Sequence, residues 1–417
     1  MNLRPYQVEG VAWLRTRKHA LLADAMRLGK TAQAIRAANG CLSIGVVCPA
    51  SAVGVWHEQF AKWQMASSRT SVASYDKVTR GEFDGQSFDV LILDEAHYLK
   101  SAGAKRTQKV YGPKCDGVGG LIAKAERVYA LTGTPCPNHP GEIWPTLRAL
   151  APETIPHKNG KPMSYWQFIT RYCKTKDNGF GLQIVGGKNL EALRMAMEPF
   201  VLRRRFNDVV QDAQEPVFDT LPVAGRAPDE SEIRKLLQNC KTDEEILAAI
   251  KKHSTHVAST RRLTGLAKVK GVIDWFRDFK EGDGGKVVFM AYHRDVIHEL
   301  STGLAGVLGY EVPVVTGATL AHVRAAALRD FRKPEIGAFV GQIIAAGTAV
   351  DLSSADTLVF VESDWVPGNN EQAAMRIQAV DKKALLTIYA ATLPGSIDEK
   401  IQRANLRKVR DSLQIFG

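Results

Sequence analysis

Gly29, Lys30 and Thr31 form a tripeptide at the junction between an apolar run and a helical pattern. Backbone N–H groups at the start of a helix point at bound anions, and the helix dipole favours negative charge there. In such a loop Lys30 would reach the outer phosphates of a nucleoside triphosphate, and the Thr31 hydroxyl would bind Mg²⁺. The tripeptide alone is weakly specific, because Asp24 stands where the strict phosphate-loop pattern requires a glycine. An ordinary helix start is the alternative.

Two carboxylates, Asp94 and Glu95, directly follow an apolar run at 88–93 that predicts a buried strand. Ligands bind beyond the carboxyl ends of the strands in open α/β sheets. Asp94 is therefore predicted to hold Mg²⁺, and Glu95 to orient or deprotonate the attacking water. The order and spacing of the tripeptide and the carboxylate pair favour a nucleotide hydrolase.

Three other polar residues stand beside predicted elements. Gln7 precedes an amphipathic helix through Leu14, and its amide could read an adenine edge, although a surface glutamine is the alternative. Thr132 and Thr134 follow a predicted strand at 127–131, where they could couple the γ-phosphate to a second ligand or simply cap a helix.

Strands and helices alternate along the chain, which predicts an α/β fold with parallel sheets covered by helices. The sequence of 417 residues is too long for one ordinary core. We expect a first lobe at 1–205 with a mainly helical insertion at about 140–200, a partly helical connector at 206–262, and a second lobe at 263–417.

Composition limits the partners and the compartment. The formal net charge is +11, and residues 263–417 are neutral with 18 basic and 18 acidic side chains, so the excess lies in the first 262 residues. A polyanionic partner fits that excess, and a merely basic soluble surface is the alternative. Six scattered cysteines without a Cys-x-x-Cys pair, no signal-peptide pattern and no membrane-length apolar run predict a soluble intracellular protein, cytoplasmic in a prokaryote or its virus.

Taken in order, these motifs resemble the Swi/Snf-type branch of the superfamily 2 helicases, particularly its small annealing-helicase-like members. The resemblance covers nearly the whole chain. It is carried by 3–7 (Leu-Arg-Pro-Tyr-Gln), 29–31, the Asp-Glu-Ala-His sequence at 94–97, 131–135 with Asn138, 202–204, 289–294, 353–356, and Gln372-Ala373 with Arg376. It implies two RecA-like lobes, ATP and Mg²⁺ between them, and translocation on double-stranded or branched DNA, usually without strand separation.

The resemblance also implies roles for particular residues. Catalysis would involve Lys30, Asp94, Glu95, Gln372 and Arg376, with Arg376 acting as an arginine finger. Nucleotide contacts would come from Gln7, Met26, Leu28, Gly29, Lys30, Thr31 and Gly347. Metal contacts would come from Thr31 and Asp94, and coupling from Thr132 and Thr134. DNA contacts would come from Ala50, Ser51, Ser74, Tyr75, His293 and Trp365.

The chain departs from the family pattern where a second arginine is expected. Ala379 stands three residues after Arg376, and Asp381-Lys382 replaces a Gly-Gln pair. If positions 376 and 379 share a helix face, the chain offers one guanidinium where two are usual, which predicts slow hydrolysis. Lys382, Lys383 or Arg27 are candidate replacements. The missing arginine makes a non-cycling, ATP-gated DNA clamp an alternative to the translocase. A strand-separating helicase is a further alternative.

Overall fold

The computed structural model describes residues 2–177, 182–210, 214–240, 245–246, 249–250, 253–282, 284–346, 350–364 and 367–416. The chain divides into two compact units, Met1–Val209 and Val210–Gly417. Each unit is built around one six-stranded sheet in which every pairing is parallel. The prediction of an α/β fold with two lobes and parallel sheets is confirmed.

The first sheet has the strand order β3-β2-β4-β5-β1-β8. Its strands are β1 His19–Leu22, β2 Ser43–Cys48, β3 Arg69–Ser74, β4 Phe88–Asp94, β5 Ala125–Leu131 and β8 Val201–Leu202. Every residue of β2 is buried, as are all but two of β4. Such near-continuous apolar runs are typical of parallel strands that helices cover on both faces.

Helices of the first unit connect and cover these strands. They are α1 Pro5–Arg15, α2 Lys30–Ala37, α3 Val53–Trp63, α4 Tyr75–Thr79, α5 Lys105–Tyr111, α6 Trp144–Leu150, α7 Tyr165–Tyr172, α8 Leu190–Met197 and α9 Phe206–Val209. An antiparallel pair, β6 Cys173–Asp177 and β7 Leu182–Gly187, lies between α7 and α8. The region at 140–200 is thus helical with one hairpin-like strand pair.

The second sheet has the strand order β11-β12-β10-β13-β14-β9. Its strands are β9 Val217–Pro222, β10 Val287–Ala291, β11 Val314–Val315, β12 Ala338–Gln342, β13 Thr357–Phe360 and β14 Thr387–Thr392. The helices of this unit are α10 Ser231–Leu237, α11 Ser254–Glu281, α12 Arg294–Leu308, α13 Ala321–Phe331, α14 Ile343–Ala346, α15 Pro367–Ala374 and α16 Ile397–Phe416.

Two sequence predictions in this unit differ from the structure. The sequence around 341–345 predicts a strand, but β12 spans Ala338–Gln342 and α14 begins at Ile343. Part of the expected connector lies within the second sheet, since β9 pairs in parallel with β14 over six residues. A six-residue strand with alternating burial and charged neighbours is easily read as a polar linker.

Strand register brings three candidate segments of the first unit to one edge. Leu22, Leu131 and Asp94 are partners at the carboxyl ends of β1, β5 and β4. The loop that leads to Lys30 follows Leu22, the two candidate coupling threonines follow Leu131, and Glu95 follows Asp94. The sheet therefore positions these three segments side by side.

Candidate functional site

The loop at 23–29 joins β1 to α2 and ends in Gly29, whose φ is 75°. The carbonyl oxygen of Leu28 accepts hydrogen bonds from Tyr6 Oη, Gln7 Nε2 and Gln33 Nε2, each at 3.2 Å. A Cβ at position 29 would lie 2.4 Å from Gln7 Nε2. Only glycine fits this left-handed turn, because both the φ angle and the close approach of Gln7 exclude a side chain.

Lys30 is the first residue of α2, and its side chain reaches back to the loop at 23–29. Its Nζ donates to the carbonyl oxygens of Asp24 at 2.7 Å and Ala25 at 3.1 Å. Burial lowers the pKa of Lys30, and the nearby carboxylates of Glu95, Asp24 and Asp94 oppose that shift. The Lys30 ammonium thus donates to two backbone carbonyl oxygens and lies near three carboxylates. From this position it can donate to phosphate oxygens.

The loop is fixed from below by Asp24, which is completely buried. Arg204, just beyond β8, makes a bidentate ion pair with it, with Nε to Oδ1 at 2.9 Å and Nη2 to Oδ2 at 2.6 Å. Arg204 Nη2 also donates to Gln33 Oε1 at 2.8 Å, and Nη1 donates to Tyr6 O. One guanidinium therefore ties the phosphate loop to α1, α2 and the segment after β8.

Gln7 belongs to the same framework. It is 8% exposed, and its Oε1 accepts from Arg4 N at 2.9 Å while its Nε2 holds Leu28. The alternative of an ordinary surface glutamine does not fit this burial. Met26 and Thr31 are half-buried beside it, and a Cβ at Gly133 would lie 2.9 Å from Met26 Cγ and 3.5 Å from Lys30 Nζ. The turn at 132–134 thus packs directly against the loop.

Asp94 is held at both ends. Its Oδ2 accepts from Trp56 Nε1 at 2.8 Å, its Oδ1 accepts from Glu95 N at 3.0 Å, and its carbonyl oxygen accepts from Tyr75 Oη at 2.8 Å. Burial, and then the charge of Glu95, raise the pKa of Asp94 to about 6, whereas the hydrogen bond from Trp56 and the charge of Lys30 oppose the rise. The two carboxylates and Lys30 therefore form one electrostatic site.

Glu95 leads towards the two threonines. Its Oε2 is 3.3 Å from His97 Nδ1, which is 3.0 Å from Thr132 Oγ1. Thr132 Oγ1 in turn accepts from Thr134 N at 3.1 Å. Both threonines are buried. Hydrogen bonds thus link His97 to the turn after β5, with the Glu95 carboxylate within ion-pair distance of the same ring nitrogen. The helix-cap alternative does not fit, because no helix begins there.

Backbone strain marks the same site. Among the described residues, four non-glycine residues have positive φ, and two of them are Arg27 at 70° and Glu95 at 48°. Such conformations cost energy, and they cluster at functional sites.

The oxygen donors in the site fit Mg²⁺. Mg²⁺ is usually bound by one or two carboxylates together with phosphate oxygens and water. Asp94 offers a half-buried carboxylate whose ionised form a cation would stabilise, and the Thr31 hydroxyl lies at the start of α2. Within the described ranges there is no cluster of three or more His, Cys, Asp or Glu residues that could hold a metal by itself. This donor set fits an ion bound together with a nucleotide.

The candidate DNA contacts of the first unit differ in exposure. Ala50 is exposed and Ser51 half-buried in the 3₁₀ turn Ala50–Ala52 after β2. Ser74 is buried and caps α4 by accepting from Lys77 N, and Tyr75 is 3% exposed with its hydroxyl bound to Asp94. A direct contact of the Ser74 and Tyr75 side chains with DNA does not fit this burial.

In the second unit His293 is fixed by a buried carboxylate. Its Nδ1 lies 2.6 Å from Glu362 Oε1, and the backbone N–H groups of Tyr292 and His293 both donate to Glu362 Oε2 at 2.9 Å. Gln372 is buried in α15. Gly347 and Trp365 lie outside the described residues.

The expectation that Arg376 and position 379 share a helix face is wrong. The helix α15 ends at Ala374, Arg376 lies in a 3₁₀ turn that ends at Ile377, and Gln378 is extended. Helical spacing therefore does not apply beyond Ile377. The residue pattern missed this end because it contains no glycine or proline there.

Lys382 does not fit the role of a replacement for the second arginine. Its Nζ donates to Ser353 O at 2.9 Å and Ile377 O at 3.0 Å, and it lies 2.8 Å from Asp356 Oδ1. The side chain instead joins three parts of one loop region. To act as an arginine finger does, the Lys382 side chain would have to break these contacts.

Sequence reasoning missed several residues that build this site. Trp56, Tyr6, Gln33 and Arg204 make the hydrogen bonds described above. No local motif separates Trp56 or Gln33 from ordinary core or surface residues, whereas Tyr6 lies in the run 3–7 that carries part of the family resemblance. Arg204 belongs to the run 202–204 that carries part of the family resemblance, which was the only signal for it.

Two family models match the chain. The family model described as SNF2-related domain matches residues 6–83 and 69–223, and the helicase conserved C-terminal domain matches 267–379. No helix among the described residues is long and apolar enough to cross a membrane.

Two groups of curated relatives are similar along most of the chain. The SWI/SNF-related matrix-associated actin-dependent regulator of chromatin subfamily A-like protein 1 of Xenopus tropicalis is 28% identical over 95% of this chain and 43% of its own length. The DNA annealing helicase and endonuclease ZRANB3 of Mus musculus is 26% identical over 95% of this chain and 39% of its own length. The chain thus spans less than half of either relative.

A solved structure also aligns with the chain. The Sulfolobus solfataricus SWI2/SNF2 ATPase core in complex with double-stranded DNA is 21% identical, and the alignment covers 100% of this chain and 95% of that one with a TM-score of 0.43.

Proposed function

Because the chain belongs to the family of SNF2-related domains, we propose that it is an ATP-dependent translocase on double-stranded or branched DNA. In this role it would remodel or anneal DNA rather than simply unwind it. The observation that carries the proposal is the position of Lys30, Asp94 and Glu95 in one half-buried electrostatic site beside the turn at 132–134.

The residues of the first unit divide the work of ATP hydrolysis. Lys30 and the N–H groups at the start of α2 would bind the phosphates, and Gln7 and Met26 would border the nucleotide. Asp94 and Thr31 would hold Mg²⁺, which supplies charge neutralisation on the phosphates when bound. Glu95 would accept a proton from the attacking water or orient it.

The polar chain from Glu95 through His97 to Thr132 supports a coupling role for the two threonines. The Glu95 carboxylate lies 3.3 Å from His97 Nδ1, and the hydrogen bonds among His97, Thr132 and Thr134 N would pass a change at the γ-phosphate to the turn after β5. DNA as the polymer is supported by the names of the relatives and by charge. The first unit carries 29 Lys and Arg against 17 Asp and Glu.

The proposal is tested by the rate of ATP hydrolysis with no polymer, single-stranded DNA, duplex, forked DNA and RNA side by side. We expect duplex or forked DNA to stimulate hydrolysis strongly, and RNA to have little effect. A Glu95→Gln preparation made in parallel measures the background from contaminating ATPases. Equal rates with and without DNA would refute the proposal.

The absent second arginine favours one other candidate, a slow or non-cycling ATP-gated DNA clamp. Such a protein would hold DNA in an ATP-dependent way without turnover. Retention of labelled duplex on the protein with ATP, followed beside phosphate release, separates the two functions. A strand-separating helicase is distinguished by displacement of a strand from a plain tailed duplex compared with a branched one.

A further inference from the structure

Among the described residues, Trp56 is the only one whose side chain donates a hydrogen bond to the Asp94 carboxylate, since the bond from Glu95 comes from its backbone N–H. Its ring is 1% exposed and packs against Phe60 with the ring centroids 5.8 Å apart. The indole has one N–H donor and no acceptor, so the hydrogen bond from Nε1 is the only conventional one that this side chain can make. The 2.8 Å distance to Oδ2 makes it a strong, charge-assisted hydrogen bond.

The remaining bonds of Asp94 do not fix the direction of its carboxylate in the same way. Oδ1 accepts from the N–H of the next residue, Glu95, which allows rotation about the local backbone. Tyr75 Oη holds only the carbonyl oxygen. The orientation of Oδ2, and with it the direction of the lone pairs left for a cation, is therefore set by Trp56.

The fold makes Trp56 a stiff support. It stands near the start of α3, which β3 and α4 separate from the carboxylate strand in the chain, and it is 38 residues from Asp94 in sequence. A buried ring in a packed helix cannot turn without losing contacts on all sides. The hydrogen bond thus transfers the rigidity of the core to an oxygen that must bind an ion.

We propose that Trp56 is a positioning residue for the divalent cation, which holds the Asp94 carboxylate in the direction that binds the metal. This inference rests on the proposed function only in taking Asp94 as the metal-binding carboxylate of a nucleotide site. Outer residues that orient metal ligands typically change the metal affinity by about 10–100-fold when they are replaced.

The experiment compares two tryptophans of one helix. Trp56→Phe removes the donor to Asp94, whereas Trp63→Phe removes an equivalent donor whose partner is Gln59 Oε1 at 2.9 Å. Mn²⁺ serves as the probe, and its binding in the presence of a non-hydrolysable ATP analogue is measured by electron paramagnetic resonance. We expect Mn²⁺ affinity to fall about tenfold in Trp56→Phe and to be unchanged in Trp63→Phe.

A second variant guards against simple damage to the core. 3-Benzothienylalanine at position 56 keeps the shape of tryptophan but replaces the N–H by sulfur, so it should lower Mn²⁺ affinity as much as Trp56→Phe. Binding of the analogue without metal should stay at the parent level in both. Mg²⁺ in excess should restore hydrolysis in both, because a misdirected ligand raises the Mg²⁺ requirement and a collapsed site does not recover.

The outcomes separate this inference from the proposed function. Unchanged Mn²⁺ affinity in the benzothienylalanine protein overturns the role of Trp56, whatever the hydrolysis rates are. A parent protein that binds Mn²⁺ and the analogue but hydrolyses no ATP contradicts the proposed function and leaves this inference standing. A parent protein that binds no Mn²⁺ with the analogue overturns both.

Discussion

Asp94 and Glu95 are adjacent, half-buried carboxylates. Their different surroundings suit Asp94 to metal binding and Glu95 to orienting or deprotonating water. Asp94 is held by Trp56 and by the backbone, as a metal ligand must be. Glu95 sits in a left-handed conformation and faces His97. Lys30 supplies the opposite charge between them and the phosphate loop.

Two variants separate ATP hydrolysis from binding of the triphosphate. Glu95→Gln should bind a fluorescent ATP analogue as the parent does but release phosphate at least about 100-fold more slowly, because it removes the base and keeps the shape. Lys30→Ala should weaken binding of the triphosphate itself. Nucleotide titration and single-turnover phosphate release measure the two effects. Glu58→Gln, an exposed change on α3, is the control, and a Glu95→Gln protein with the parent rate would remove Glu95 from its role.

The raised pKa of Asp94 also predicts how stability depends on pH. Because the folded-state pKa, about 6, lies above the ordinary value of 3.8, the folded protein binds more protons than the unfolded chain between those values. The free energy of unfolding therefore falls as the pH rises through that window. Glu95→Gln removes the second cause of the shift, so it should be more stable than the parent at pH 8.

Urea unfolding of both proteins at several pH values checks this prediction. The advantage of Glu95→Gln should shrink as the pH falls below about 6 and disappear near pH 4, where Asp94 of the folded protein is protonated and no longer repels the charge of Glu95. An advantage that stays constant over this range would contradict the assignment.

At the scale of elements, Arg204 is the residue that joins the phosphate loop to its supports. It lies within hydrogen-bond distance of Asp24, Gln33 and Tyr6, which belong to the loop, to α2 and to α1. Gly10 makes room for this contact, since a Cβ there would lie 1.9 Å from Gln33 Oε1. The conformation of the loop is thus built from residues far apart in sequence.

Arg204→Gln should lower the free energy of unfolding by about 3–5 kcal/mol, because it removes the guanidinium that pairs with the buried charge of Asp24 and leaves that carboxylate only the hydrogen bond from Gln33. The double variant Arg204→Gln/Asp24→Asn should recover part of that loss, since the unpaired charge is gone. Arg205→Gln, an exposed neighbour, should have little effect. Denaturant unfolding of the parent, Arg204→Gln, Asp24→Asn and the double variant measures the coupling, and losses that simply add would show that the pair does not act as one unit.

The turn that carries Arg376 gives a second prediction at this scale. Arg376→Ala should reduce DNA-stimulated hydrolysis by about 10³-fold or more while nucleotide binding persists, as expected for an arginine that stabilises the transition state. Ala379→Arg should change the rate little, because the helix ends before it. Turnover at saturating ATP and DNA decides. A clear gain from Ala379→Arg would mean that the extended segment brings position 379 to the phosphates.

Local sequence patterns predicted the site residues that follow strands. The contacts that hold those residues in place are tertiary, and the sequence patterns did not predict them. Lys30, Asp94 and the threonines were found because each follows an apolar run that forms a strand. The contacts of Trp56 with Asp94 and of Arg204 with Asp24 span 38 and 180 residues, and no periodicity encodes them. Helix α15 ends without a glycine or proline, so its end at Ala374 could not be read from the sequence.

For the whole molecule, the two units differ in charge far more than in fold. Both contain a six-stranded parallel sheet, but the first unit has a formal net charge of +12 and the second of −1. A polyanion gains most of its affinity from Lys and Arg that neutralise its phosphates, and each such contact releases counterions. The first unit should therefore supply most of the phosphate contacts.

The salt dependence of DNA binding tests that division. For duplex DNA, the logarithm of the binding constant falls with the logarithm of the salt concentration at about −0.9 per phosphate contact. Lys105→Gln/Lys114→Gln removes two exposed charges from the first unit, and Lys383→Gln/Lys400→Gln removes two from the second. We expect the first pair to flatten the slope by about 1–2 and the second to leave it unchanged, in titrations of one labelled duplex over a range of salt. Base sequence should matter little, since phosphate contacts position a protein without reading bases. Equal effects of the two pairs would mean that net charge alone governs binding, and a larger effect of the second pair would place the DNA contacts on the other unit.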